Sequence, residues 1–263
     1  MPAITVGKAT LHYDERGDGD GAPIVLLHGL GSSSADWALQ LPVLAAQHRV
    51  LAVDLPAHGR SSRPRGRLTV AAMATAVAGL LRALGVSPAH VVGLSIGGCV
   101  ALTLALDHPE RVRSLALVNA FARLRPAGPR GALRMLTRLG LLAGAPMRVV
   151  AAHVARGLFP RPDQHALYLA AVASLGGGSR PTYLASILAL LAFDVRRRLT
   201  EVRCPTLVVA GDRDMTVPLA AKTLLQRSIP GAELLVVPDS GHATPCDQAE
   251  RFNAALLAFV GAH

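Results

Sequence analysis

Three kinds of side chain, far apart in the chain, could do chemistry together. Ser95 stands in Gly93-Leu94-Ser95-Ile96-Gly97-Gly98, and His242 ends the stretch Pro238-Asp239-Ser240-Gly241-His242. Between them, Gly211-Asp212-Arg213-Asp214-Met215-Thr216-Val217-Pro218 offers two carboxylates. A neutral serine hydroxyl is a poor nucleophile. It needs a base to take its proton, and the base needs an acid to orient it. Such a set would attack a carbonyl carbon, hold the acyl group on the serine and release it to water. By residue type alone, either Asp212 or Asp214 fits the acid.

Those residues must be delivered to one place. Ala89-His90-Val91-Val92 reads as a buried strand, and Cys99-Val100-Ala101-Leu102-Thr103-Leu104-Ala105-Leu106 reads as a helix packed on a sheet. A strand that turns sharply into a helix strains the backbone of the turning residue. Glycines on either side let neighbouring backbones approach, and the serine hydroxyl stands clear of the sheet above a helix N-terminus. The two later loops each follow an apolar strand, 205–210 and 233–237, and leave the same sheet edge as the serine turn.

Taken in order, the chain opens with a strand over 9–14 and a hairpin-type turn at Asp18-Gly19-Asp20-Gly21. Ile24-Val25-Leu26-Leu27 is a buried strand running into His28-Gly29-Leu30-Gly31-Ser32-Ser33, a loop able to turn a backbone N–H outward over the sheet. A helix is expected over 36–47, a strand over 50–53, a helix over 68–84 and a strand over 112–119. From residue 121 the pattern becomes helical with proline and glycine breaks: 132–142, 147–156, 164–175 and 183–193. After 200, strands and helices alternate again, with helices at 219–228 and 249–260. This predicts an α/β fold with a mostly parallel, doubly wound sheet covered on both faces. Residues 1–120 and 201–263 form its core, and 121–200 is an inserted helical segment.

Charge singles out that insertion. The chain has 263 residues, half of them apolar, and a formal net charge of +10. Twelve arginines and no lysine fall within 121–200, against Asp163 and Asp194 only; the rest of the chain balances at 15 basic and 15 acidic residues. Arg130, Arg134 and Arg138 line one stripe of the first inserted helix, and Met135, Leu139 and Leu142 another. The arginines read as a solvated outer face, as a field drawing in an anionic substrate, or as a dock for an acidic carrier protein or an anionic membrane. With three tyrosines, one tryptophan and no recognition motif, nucleic-acid binding is not expected. Cys99, Cys204 and Cys246 lack metal spacing and cannot all pair. Cys99 is expected as inert core, Cys204 at the start of a strand and Cys246 in a loop. The start of the chain shows no signal-peptide pattern, and no apolar run is long enough to span a bilayer, so a cytoplasmic setting is expected. Neither a cofactor nor a metal is expected.

In motif and order, the chain resembles the α/β-hydrolases. The matching pieces are His28-Gly29-Leu30-Gly31, Asp54-Leu55-Pro56-Ala57-His58-Gly59-Arg60-Ser61, the Ser95 turn, Gly211 to Pro218, and Gly241-His242. The resemblance implies Ser95 as nucleophile, His242 as general base and then acid, and Asp214 as the orienting acid. Asp212 is then a loop-capping carboxylate. It also implies an oxyanion hole from the backbone N–H groups of Leu30 and Ile96. His28 and His58 become loop-fixing residues. Ala57 stands where the family usually has glycine, which would shift that turn slightly. Serine at the elbow excludes the family's dehalogenases and epoxide hydrolases, which need aspartate there. Asn119 could line the pocket, and the other histidines (His12, His48, His90, His108, His153, His165, His263) are expected at surfaces or helix ends.

The resemblance leads to a serine hydrolase of the esterase and enol-lactonase kind, cleaving a carboxylic ester or lactone of a small, largely apolar substrate. Thioester hydrolysis and carbon–carbon hydrolysis of meta-cleavage products use the same triad. A hydrolase-fold protein that binds a small molecule with little turnover is the alternative of another class. The inserted segment corresponds to the family's cap, with Met135, Leu139, Leu142, Val149, Val150, Leu188 and Leu191 as the candidate apolar pocket lining or the cap's own packing.

Overall fold

The computed structural model describes residues 2–7, 9–64, 66–125 and 128–263. The sheet is built from β1 (Ala3–Val6), β2 (Ala9–Leu27), β3 (His48–Val53), β4 (Ala89–Leu94), β5 (Val112–Val118), β6 (Thr206–Gly211) and β7 (Glu233–Val237). The 19-residue β2 doubles back on itself. Val53 pairs with both Tyr13 and Leu27, and Val50 with both Arg16 and Ile24. The first arm therefore runs antiparallel to β3 and the second parallel to it, with the expected Asp18–Gly21 turn between them. From the second arm the sheet continues through β4, β5, β6 and β7, all parallel.

Both faces are covered. On one, α2 (Val70–Ala83) and α3 (Ile96–Asp107) pack over the sheet. Thr69 caps α2 by accepting the Ala72 N–H at 3.0 Å, and Val70, Met73, Ala74, Val77 and Leu81 turn one stripe inward. Val6 of β1 packs where a side chain at Gly79 would sit. Helix α3 is buried on all sides, as its uniformly apolar sequence requires. On the other face, Trp37, Leu41 and Leu44 meet Phe252, Leu256 and Val260 of a C-terminal helix, 249–261. The expected helix over 36–47 is instead a 3-10 turn at Ser34–Trp37 followed by the four-residue α1 (Leu41–Leu44). Pro42 lacks an N–H and fits only the start of a helix, so it divides the segment. Strand β1 lies outside the expected strands and pairs antiparallel with β2.

Between β5 and β6 lie α4 (Gly128–Gly144), α5 (Met147–Leu158), α6 (His165–Gly176) and α7 (Arg180–Leu191). They have a small core of their own, Leu142, Val150, Ala151, Leu175, Tyr183 and Ile187, with Leu30 packed against it. Three residues expected in an apolar lining lie outside: Val149, Leu188 and Leu191 are 43%, 52% and 53% exposed. Helix α8 (Leu219–Ser228) follows β6, and α9 (Thr244–Asp247) and α10 (Ala249–Gly261) close the chain. No helix among the described residues is long and apolar enough to cross a membrane.

Candidate active site

Ser95 sits between β4 and α3 with φ 55° and ψ −114°, a conformation that an L-residue holds only under strain. The close packing around it explains the glycines. A Cβ on Gly93 would overlap the Gly97 carbonyl, and one on Gly97 would overlap the Leu27 carbonyl at the end of β2. The Ser95 N–H donates to the Val118 carbonyl at 2.9 Å, tying the turn to the end of β5. Ser95 is 8% and His242 7% exposed, so the site is nearly closed.

Of the two candidate acids, Asp214 meets His242, with Nδ1 donating to Oδ2 at 2.9 Å. That tautomer leaves the Nε2 lone pair free, as a general base requires. Asp212 instead accepts the Ser240 N–H at 3.1 Å and caps the loop that carries the imidazole. Asp214 Oδ1 accepts two further N–H groups, from Thr216 at 2.7 Å and Val217 at 3.1 Å. Its Oδ2 also takes the Lys222 ammonium at 2.7 Å, with both side chains sealed from solvent. Although burial opposes the charge, the adjacent imidazole and ammonium hold the Asp214 carboxyl well below the usual range. Burial pulls the Lys222 ammonium down despite its carboxylate partner. Lys222 is one of only two lysines in the chain, and sequence reading missed it. The signal was a lysine three residues before Leu225, on the buried stripe of α8.

Among the described residues, no hydrogen bond yet joins the Ser95 hydroxyl to the ring of His242. Without substrate, such a contact is commonly loose and tightens in the reacting complex. The Leu30 N–H, in the loop after β2, and the Ile96 N–H, at the first position of α3, have no backbone acceptor among the described residues. A helix N-terminus leaves such donors free, and it favours negative charge. Unpaired backbone donors, a serine hydroxyl and an oriented imidazole are the parts that attack on a carbonyl and stabilisation of an oxyanion require.

Asn119 is a correction. Far from lining a pocket, it is fully buried at φ 46° and serves as a tie. Its Nδ2 donates to the His242 carbonyl and Thr244 Oγ1, both at 2.8 Å, and to the Gly241 carbonyl at 3.3 Å. Its Oδ1 accepts the Gly211 N–H at 2.9 Å. One amide thus fixes the end of β6 and the histidine loop to the end of β5. Asp247 adds to this by accepting the Gly241 N–H at 2.6 Å and the Ser240 hydroxyl at 2.8 Å.

The loop after β3 is tied to the loop that carries Leu30. His28 donates from Nδ1 to the Gly29 carbonyl at 2.7 Å and accepts the Leu55 N–H on Nε2 at 3.0 Å. Burial, with His58 nearby, pulls it down to about 3, so it stays neutral as both bonds demand. Asp54 accepts the N–H groups of Ser34 and Arg60, and His58 holds the Pro56 carbonyl at 3.0 Å. Ala57 keeps the turn and takes φ 68° itself, so the strain falls on the residue and the loop keeps its place. His90, expected at a surface, is buried in β4 against Ser114 Oγ at 2.7 Å. Cys246 lies in α9, not in a loop, and burial pushes its thiol up to about 12. Cys99 is buried, as expected, and burial pushes its thiol up. Among the described residues, no group of three or more metal-ligating side chains gathers.

A family model described as the alpha/beta hydrolase fold matches residues 22–247. The "Putative carbamate hydrolase RutD" of Azorhizobium caulinodans is 37% identical over 270 residues, covering 99% of this chain and 98% of that protein. The enol-lactonase of Burkholderia xenovorans LB400 superposes with a TM-score of 0.90 at 27% identity, covering 99% of this chain and all of that one. A hydrolase from Pseudomonas aeruginosa PA01 superposes at 0.89 with 31% identity, covering 99% and 98%. The chain belongs to the α/β-hydrolase fold family and is a hydrolase of that fold.

Proposed function

We propose that the protein is a serine hydrolase that cleaves the ester or lactone bond of a small substrate through an acyl-enzyme on Ser95. The observation that carries this reading is the 2.9 Å bond from His242 Nδ1 to the buried Asp214, at the sheet edge where the strained Ser95 stands. Substrate binding brings the Ser95 hydroxyl onto His242 Nε2. The imidazole takes its proton as Oγ attacks the carbonyl carbon, and Asp214 stabilises the imidazolium. The N–H groups of Leu30 and Ile96 receive the oxyanion. His242 then protonates the leaving alcohol, activates water and regenerates the serine. Helices α4–α7 act as the cap that closes the site from water. The same machinery accepts a carbamate carbonyl, and the Azorhizobium caulinodans relative favours carbamates as the second reading.

The test is a fluorophosphonate label with peptide mapping, run beside a panel of p-nitrophenyl esters, lactones and aryl carbamates. We expect the label on Ser95, and Ser95→Ala should lose both labelling and at least about 10³-fold in kcat/KM. Turnover that survives Ser95→Ala, or labelling with no turnover across the panel, would overturn the reading. The second outcome would favour a binding protein.

A further inference from the structure

We propose that Arg138, together with the hydroxyl of Tyr183, forms an anion subsite in the roof of the active site, so that the substrate carries a carboxylate besides its scissile bond. This rests on the hydrolase reading above and deepens it. The guanidinium of Arg138 lies 4.8 Å from the centre of the Tyr183 ring. Arg138 Nε and Tyr183 Oη are both sealed from solvent, and neither has a hydrogen-bond partner among the described residues. A buried donor without an acceptor is costly and uncommon. No carboxylate of the inserted segment is free to help. Asp163 pairs with Arg161, and Asp194 with Arg196 and Arg123. For want of an anion, burial pulls the Arg138 guanidinium down to about 10.

The place of the pair makes it a substrate site. Tyr183 packs so tightly on the oxyanion loop that a Cβ on Gly31 would overlap its ring, and Leu30 packs against the same cluster. One turn before Arg138 on α4, Arg134 donates to the carbonyl of Met215, the residue after Asp214. The arginines of α4 therefore join the loop that carries Asp214 to Tyr183, which packs on the loop that carries Leu30. A guanidinium with one face on an aromatic ring still offers its N–H fork to a carboxylate. Tyr183 Oη adds one neutral donor.

Two measurements test this. The first compares the p-nitrophenyl hemi-ester of glutaric acid with p-nitrophenyl valerate, a neutral substrate of similar length. The ratio of their kcat/KM values should fall between about 10- and 100-fold in Arg138→Met, recover in part in Arg138→Lys, and fall severalfold in Tyr183→Phe. An unchanged ratio overturns the proposal. The second measures glutarate binding by calorimetry to Ser95→Ala, which requires no turnover. Binding should be lost when Arg138→Met is added; no binding by Ser95→Ala, or equal affinity in the two proteins, overturns the proposal. Failure of the fluorophosphonate label defeats the hydrolase reading separately, because the calorimetric result stands without it.

Discussion

Replacing Asp214 by asparagine should cost the protein stability and turnover by two separable routes. Oδ2 holds the Lys222 ammonium at 2.7 Å and the His242 ring at 2.9 Å, with the Lys222 and Asp214 side chains 0% and 1% exposed. Unit charges 2.7 Å apart attract by about 6 kcal/mol at an effective dielectric of 20. Desolvation offsets part of that gain, but breaking the pair leaves a buried cation and costs about 3–5 kcal/mol. For a chain of this size that lowers the thermal midpoint by roughly 6–20 °C. Turnover should fall by about 10⁴, because the imidazole loses both its tautomer and the stabiliser of its charged form. Adding Lys222→Met removes the stranded cation. The double variant should regain most of the lost stability and stay inactive. Asp212→Asn is the control, losing about 1 kcal/mol with one N–H bond to Ser240 and keeping turnover within about tenfold. Thermal unfolding followed by circular dichroism, beside steady-state kinetics, reads all four proteins. An Asp214→Asn variant within about 1 kcal/mol of the parent, or loss of turnover in Asp212→Asn in its place, would refute the reasoning.

Three further outcomes are expected. Asn119→Ala leaves the His242 carbonyl and the Gly211 N–H without a partner among the described residues and takes one partner each from Gly241 and Thr244, so it should lower the thermal midpoint by roughly 5–10 °C and reduce kcat more than it alters KM. Ala57→Gly relieves a left-handed backbone at φ 68° and should raise stability by about 0.5–1 kcal/mol, measured by urea unfolding. Acid should weaken the fold. His28 and His90 are held at about 3 and about 4, and His58 is also pulled down, each chiefly by burial. The unfolded chain binds protons near pH 6.5 that the folded chain refuses, so stability falls as pH drops from 6.5 towards 4. Asp36, raised to about 6 by burial, and Asp247, also raised by burial, work the other way above pH 3.8, but they are two groups against three. His90→Gln should flatten the decline of the thermal midpoint across that range.

Much of the molecule was legible in the sequence because apolar runs and helical stripes report burial directly. The strands around Ser95, the four helices between β5 and β6, and the two carboxylate- and imidazole-bearing loops lie within a few residues of their expected places. The errors share a cause, since each depends on contacts between distant segments. Ile4 and Val6 make a strand only because β2 is there to pair with them. His90 looks like a surface residue until Ser114, 24 positions away, is set beside it. Leu188 and Leu191 have the right type for a pocket, but the packing of α7 turns them outward. Lys222, Asn119 and the meeting of Arg138 with Tyr183 are likewise tertiary facts. The α4 arginine stripe was visible; its partner across the insertion was not.

The single amide of Asn119 has a consequence for how such a protein can change over generations. Because it pins the histidine loop and the end of β6 to the sheet, those two loops are anchored from below. The helices overhead can then be rewritten, a leucine for an arginine or one turn for another, while the bond-breaking apparatus is inherited whole. Preference for one compound over another is free to drift, and the reaction itself stays put.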